Sequence, residues 1–307
     1  MELRAQPTAS LAAEERAVLE VLEALDRGDR PLALTRAEAL RQAVPTFELL
    51  EALVAALEGA HSAEALALLR REWLADGASG ESPPVPLREE LAQRWAHRQF
   101  IPPATLPFVL HVDETVRHLI VVETSTSRLY VLRNTPQGLE LQRDYYASIG
   151  RRGDGKQAEG DERTPLGVYF TLSRMDDEGL AERYGAHAFP LDYPNEWDRR
   201  QERTGRGIWI HGVPAETYSR PPLDSDGCVA LTNLDIGWLA RHLAPLHTPV
   251  VIMRELPRET ASLSPAATDA LRERLGARLA VHDGHDFFEA QAETATALIA
   301  PDEPRNI

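Results

Sequence analysis

The spacing of apolar and polar positions changes character near residue 106. Before it, apolar residues recur three and four apart, the period of a helix with one buried face. In LAAEERAVLEVLEALDR, Leu11, Val18, Leu22 and Leu25 fall close to one side, and Gly28 follows where a helix end favours glycine. Pro31 opens a second helix and Pro45 closes that stretch, TFELLEALVAALEG predicts a third, and residues 62–76 predict a fourth. DGASGESPPVP, residues 76–86, is rich in Gly, Ser and Pro and reads as a linker, with a short helix around EELAQRWAHRQF after it.

Beyond residue 106 the apolar runs become short, β-branched and aromatic. FVLHV, HLIVVET, RLYVLRN, LELQRDYYASIG, GVYFTLS, GIWIHG, CVALTN and TPVVIMRE read as strands separated by polar turns, with TSTS as a hairpin connection. ATDALRERLGARLA then predicts a helix, residues 286–299 a second, and APDEPRNI a disordered end. The expectation is an α+β chain in three parts: a helical module over 1–98, a mainly β domain over 106–255, and a short helical extension over 256–307. A chain of 307 residues is long enough for two cores.

Composition narrows the functional classes. The formal net charge is -15 and the acidic excess is spread along the chain, which argues against nucleic acid as a partner. No apolar run is long enough for a transmembrane segment, and MELRAQPTAS lacks the basic-then-apolar pattern of a signal peptide. One cysteine excludes an intramolecular disulfide and cysteine-rich zinc sites. HDGHD at 282–286 lacks a third convergent ligand and reads as a turn, so no metal site is expected.

That cysteine, Cys228, lies in IWIHGVPAETYSRPPLDSDGCVALTN, seventeen residues after His211. Gly227 permits unusual backbone angles and close substrate approach, and successive N–H groups at such a turn can face a developing oxyanion. His211 ends a strand-like run and Gly212 opens the loop after it. A His and a Cys on two strand ends are plausible partners for nucleophilic chemistry. A small buried hydrophobe is the other reading of the same thiol.

The flanks carry more information. His-Gly, a variable loop, then Ser-x-Gly-Cys-Val-x-Leu-x-Asn resembles the signature of the L,D-transpeptidase catalytic domain of the YkuD type. SIGRRGDGKQAEGDERTPLGVYF, residues 148–170, resembles a second block of that family through Thr164-Pro165-Leu166-Gly167, and HLIVVETSTSRLYVL resembles its opening hairpin. The resemblance spans about residues 108–254. It is closest to a proteobacterial branch with a helical N-terminal region and a segment like AFPLDYPNEWDRR.

The resemblance implies a YkuD-like β domain and a cysteine transpeptidase acting on peptidoglycan peptide stems, without metal or organic cofactor. Cys228 would attack the carbonyl between meso-diaminopimelate and D-alanine in a tetrapeptide stem. His211 would take the thiol proton and later protonate the leaving D-alanine, and the N–H groups of Gly227 and Cys228 would hold the oxyanion. A second stem's amine would give a 3–3 cross-link, and water a carboxypeptidase product. The family works outside the inner membrane, in the periplasm or cell envelope, so the missing signal would imply a trimmed chain.

Two departures from the family pattern stand out: Asp226 where many members have His, and Ala230 where many have Arg. Close to the thiol, Asp226 would raise its pKa; turned away, it would orient His211 or a backbone amide. Without the arginine, the cations expected to meet stem carboxylates are Arg206, Arg220 and Lys156, the chain's single lysine. Ser225, Gly212, Tyr218 and Ser219 are expected to line the cleft. Tyr193 and Trp197 belong to a lid or to a loop pinned by aromatics. The alternatives are D-amino-acid exchange, attachment or release of a wall-linked protein, or a binding module that has lost catalysis. RGDRPLALTRAEALRQAVP resembles part of a tetratricopeptide-type hairpin, a plain helical bundle being the other reading. Either offers a docking surface for a protein partner.

Overall fold

In the computed structural model, residues 3–4, 11–74, 84–98, 100 and 112–256 are described. Most of the 76–86 linker, FVLHV up to residue 111, and the stretch 257–307 with its expected helices and HDGHD lie outside them. After a two-residue strand at Leu3–Arg4 come five helices: α1 (Ala13–Asp26), α2 (Arg30–Ala43), α3 (Glu48–Gly59), α4 (Ala63–Leu74) and α5 (Val85–His97). The chain turns from α1 to α2 through Gly28 at φ +75°, and Asp29 then caps α2 by accepting from the Leu32 N–H at 3.1 Å. Arg30 reaches across to the end of α3 and donates to the carbonyls of Leu57 (2.7 Å) and Glu58 (3.1 Å). Val21, Leu22, Leu25, Leu50, Leu53, Leu57 and Leu91 form the buried centre of this module.

A β-rich domain follows, giving the chain its mixed α and β class. Its larger sheet has six strands in the order β1 (Leu3–Arg4), β4 (Gly138–Tyr146), β3 (Arg128–Thr135), β2 (His118–Glu123), β12 (Pro249–Met253), β6 (Gly167–Phe170). Strands β2, β3 and β4 are an antiparallel meander; β12 returns parallel to β2 and antiparallel to β6. Ile120, Val122, Val250 and Ile252 face one core, while Leu119, Val121, Val251 and Met253 face another. Both faces are covered, which is why these strands read as almost unbroken apolar runs.

A four-stranded sheet packs over the first of these cores, in the order β11 (Val229–Ala230), β9 (Trp209–His211), β8 (His187–Pro190), β7 (Met175–Asp176). A parallel pair of β5 (Ile149–Gly150) with β10 (Leu223–Ser225) sits beside it. Two helices complete the domain: α6 (Glu196–Arg200) and α7 (Asn233–His242). The strand expected over CVALTN is only Val229–Ala230, because Thr232 caps α7 by accepting from the Asp235 N–H at 3.1 Å. Ile236, Leu239 and Ala240 then face the core at helical spacing.

Helical module and β domain meet through buried charge. Arg128 of β3 is fully buried, pairing with Glu15 of α1 at 2.9 Å and with Asp144 of β4 at 2.7 Å. Arg94 of α5 pairs with the same Glu15 and, at 2.8 Å, with Glu90; its guanidinium lies 4.0 Å over the Tyr146 ring. His97 closes the set with Nε2 at 2.6 Å from Asp144. Burial pushes the Glu90 carboxyl up, to about 8. Burial by itself would raise Asp144 too, but Arg128 and His97 hold it below the ordinary carboxylate range. Removing one member strands buried charge, so Arg128→Met should lower the urea-unfolding free energy by about 3–5 kcal/mol. Arg133→Ala, which breaks an exposed pair with Glu140, should cost under about 1 kcal/mol. Equal losses would show that the buried cluster does not hold the two parts together.

Candidate active site

The parallel pairing of β9 and β11 aligns Ile210 with Val229 and His211 with Ala230. Cys228, one residue before β11, therefore lies beside Trp209, whose N–H donates to Sγ at 3.4 Å. The thiol in turn faces the Gly207 carbonyl at 3.4 Å and is only 8% exposed. His211 is also buried. Its Nδ1 is 2.6 Å from the Gly212 carbonyl. A carbonyl can only accept, so that contact places the ring proton on Nδ1 and leaves Nε2 as the basic nitrogen.

The turn before the thiol is held from within. Ser225 Oγ donates to the Cys228 carbonyl at 2.7 Å and accepts from the Gly227 N–H at 3.1 Å. That second bond corrects the expectation that Gly227 supplies an oxyanion donor: its amide is engaged inside the turn. Ser225 likewise acts as a brace for the turn. Gly227 is required for another reason. Its φ is +119°, and a Cβ there would sit 2.6 Å from the Arg163 carbonyl. At Gly212 a Cβ would fall 2.3 Å from Asn233 Oδ1. Asn233 clamps the turn after His211, accepting from Val213 N–H at 3.2 Å and donating to its carbonyl at 2.7 Å.

The remaining expected residues separate into groups. Lys156 is 4% exposed and donates to Asp161 (2.7 Å) and the Ala158 carbonyl (3.1 Å), so it ties a loop together instead of offering a free cation. Tyr218 does not line the cleft: it lies in the helical module's core, its ring 4.5 Å from that of Phe47. Ser219 also turns to that module, donating to Glu90 at 2.7 Å. The Asp226 side chain is 75% exposed and pairs with Arg151 at 3.2 Å, turned outward. Arg220 donates to the carbonyls of Asp224 and Arg183, both at 3.1 Å. Arg206 is exposed and makes no hydrogen bond or ion pair among the described residues. Tyr193 packs in the β-domain core, edge-on to Tyr169, the behaviour of a loop pinned by aromatics.

Three neighbours were not expected from sequence. Tyr184 sets its ring edge-to-face on His211 at 5.0 Å and tilts over Trp209 at 4.6 Å, and Arg183 lies 4.7 Å from the Tyr184 ring. Nothing in the run AERYGAH distinguishes these residues from a surface loop. Asn233 was within reach, as the last residue of the Ser-x-Gly-Cys block.

Electrostatically, the pair rests neutral. Burial raises the Cys228 thiol to about 11, with Asp226 adding to the rise, against the Trp209 N–H, Arg220 and Lys156. Burial likewise lowers His211 to about 4, and Arg220 and Arg183 lower it further, against the Gly212 hydrogen bond. A neutral thiol can pass its proton to a neutral imidazole as a carbon–sulfur bond forms.

Cys228, just before β11, and His211, at the end of the adjacent β9, are both buried. Residues 117–252 match the model of the L,D-transpeptidase catalytic domain, YkuD. Among solved structures, Bd1075 of Bdellovibrio bacteriovorus is 28% identical, covering 56% of this chain and 59% of that one, with a TM-score of 0.44. Pgp2 of Campylobacter jejuni, described as a helical cell shape determining protein, is 23% identical over 62% of this chain and 71% of its own, with a TM-score of 0.42. An L,D-transpeptidase from Mycobacterium smegmatis is 18% identical over 45% and 58%, with a TM-score of 0.29. The chain thus spans somewhat over half of the Bdellovibrio chain it matches. No curated protein matches it in sequence.

The clash at Gly227 makes a prediction about the turn. Gly227→Ala adds a steric conflict to a positive φ, whereas Gly155→Ala adds only the positive φ of +79°, with nothing within 4 Å. The Gly155 variant should cost about 1 kcal/mol and the Gly227 variant at least about 3 in urea unfolding. Equal costs would mean that the turn yields freely.

Proposed function

We infer that the chain is a cysteine-dependent L,D-transpeptidase that acts on peptidoglycan tetrapeptide stems in the cell envelope. The observation that carries this reading is the Nδ1 anchor of His211, which leaves Nε2 as a base on the strand next to Cys228. As Sγ attacks the carbonyl between meso-diaminopimelate and D-alanine, its proton passes to Nε2. The Cys228 N–H meets the oxyanion, since the Gly227 amide is held by Ser225. Collapse breaks the amide bond, and the imidazolium returns its proton to the leaving D-alanine amine. A second stem's amine then attacks the thioester, forms a new amide and regenerates the thiol. Water in that position gives the tripeptide instead.

Ala230 is buried opposite His211, so the cation absent from that position has to come from neighbouring loops. Arg220 and the unengaged Arg206 are the groups that meet the stem's carboxylates. The reading needs no metal and no organic cofactor.

Incubation with disaccharide-tetrapeptide muropeptides, followed by mass spectrometry, tests this. A dimer lacking one D-alanine identifies transpeptidation, and a tripeptide identifies hydrolysis; Cys228→Ala should yield neither. His211→Gln should slow turnover about a hundredfold or more. Because His211 must be neutral to act, kcat/KM should stay level through neutral pH and fall as pH drops through about 4. Unchanged muropeptides with the native chain, or turnover by the Cys228 variant, would overturn the reading.

A further inference from the structure

The segment between the two site residues is fastened residue by residue. The Tyr218 N–H donates to the Thr46 carbonyl at 3.2 Å, and the Tyr218 ring packs on Phe47. Ser219 Oγ donates to Glu90 at 2.7 Å. Tyr146 donates to the Arg220 carbonyl at 3.0 Å, Ser148 Oγ to that of Pro221 at 2.6 Å, and the Ile149 N–H to that of Pro222 at 2.8 Å. The first three anchors, Thr46, Phe47 and Glu90, belong to the helical module. Arg94, also of that module, covers the Tyr146 ring and pairs with Glu90.

What this segment carries is Arg220. Its guanidinium binds the Arg183 carbonyl, next to the Tyr184 ring that rests on His211, and the Asp224 carbonyl in the strand leading to the thiol turn. A path of hydrogen bonds and chain links therefore runs from α5 through Ser219 to Arg220, whose charge acts on both members of the pair. We propose that the helical module is a working part of the active site, with Glu90 a positioning residue that acts through Ser219 to hold Arg220 beside His211 and Cys228.

The proposal rests on Cys228 being the nucleophile but not on the identity of its natural substrate. Alkylation of Cys228 by iodoacetamide is therefore the readout, since it proceeds whether or not the peptidoglycan reading holds. The charged and titratable groups around the thiol are Asp226, Arg220, Lys156 and His211. Among the described residues, Arg220 is the one of these whose chain neighbours the module anchors. Ser219→Ala with Tyr146→Phe removes the hydrogen bonds at Ser219 and at the Arg220 carbonyl without touching the pair. With Arg220 loosened, the cation moves away from the thiol, so alkylation near neutral pH should slow roughly three- to tenfold and its pH profile should move upward. Ser219→Ala alone, the milder change, should give a smaller shift in the same direction.

The decisive comparison repeats the variants in an Arg220→Ala background. If they act through Arg220, their effect disappears there, as coupled residues require. An equal slowing in both backgrounds would overturn the proposal, because it would mean a general loosening. Unchanged or faster alkylation in the native background would overturn it as well.

Discussion

A guanidinium buried in the middle of a sheet has to be neutralised by carboxylates, and at Arg128 one of the two comes from outside the sheet. Asp144 is a neighbour on β4, but Glu15 belongs to α1, so the β domain is electrostatically complete only with the helical module in place. Arg94 extends the arrangement, sharing Glu15 with Arg128 and taking Glu90 for itself. The helical module is thereby joined to the strand layer by charges that water cannot screen.

The same junction touches the candidate site. Glu90 meets Ser219, and Tyr146, under the Arg94 guanidinium, meets the Arg220 carbonyl. Around the pair itself, burial sets the protonation of both groups, raising the thiol and lowering the imidazole. The resting state is accordingly uncharged. Asp226, two residues before the thiol, and Lys156, a candidate cation for stem carboxylates, are engaged by Arg151 and Asp161.

Much of the architecture was legible because local patterns and tertiary structure agree. Helical periodicity marks α1 to α4, and β-branched runs mark β2, β3, β9 and β12. The helix α7 was missed because VALTN has strand composition up to Thr232, and the hydroxyl that caps the helix is also a common strand residue. Tyr218 was misread since an aromatic in a loop between two candidate site residues suggests a cleft, while its ring completes another part's core. Lys156 was misread because lone lysines are usually solvated. The Glu15, Glu90, Arg94, Arg128 and Asp144 cluster was invisible, since each residue alone looks like the polar face of a helix or strand. Only the packing of α1 and α5 against the sheet buries them together.

The central claim is that Cys228 becomes covalently acylated by a peptide stem. Acid quenching during incubation with a disaccharide-tetrapeptide, followed by intact mass measurement and peptide mapping, tests it most directly. The account predicts an adduct equal to the stem minus D-alanine, on the peptide containing Cys228 and labile to hydroxylamine as a thioester is. Product formation without any adduct at Cys228, or an adduct on another residue, would contradict it.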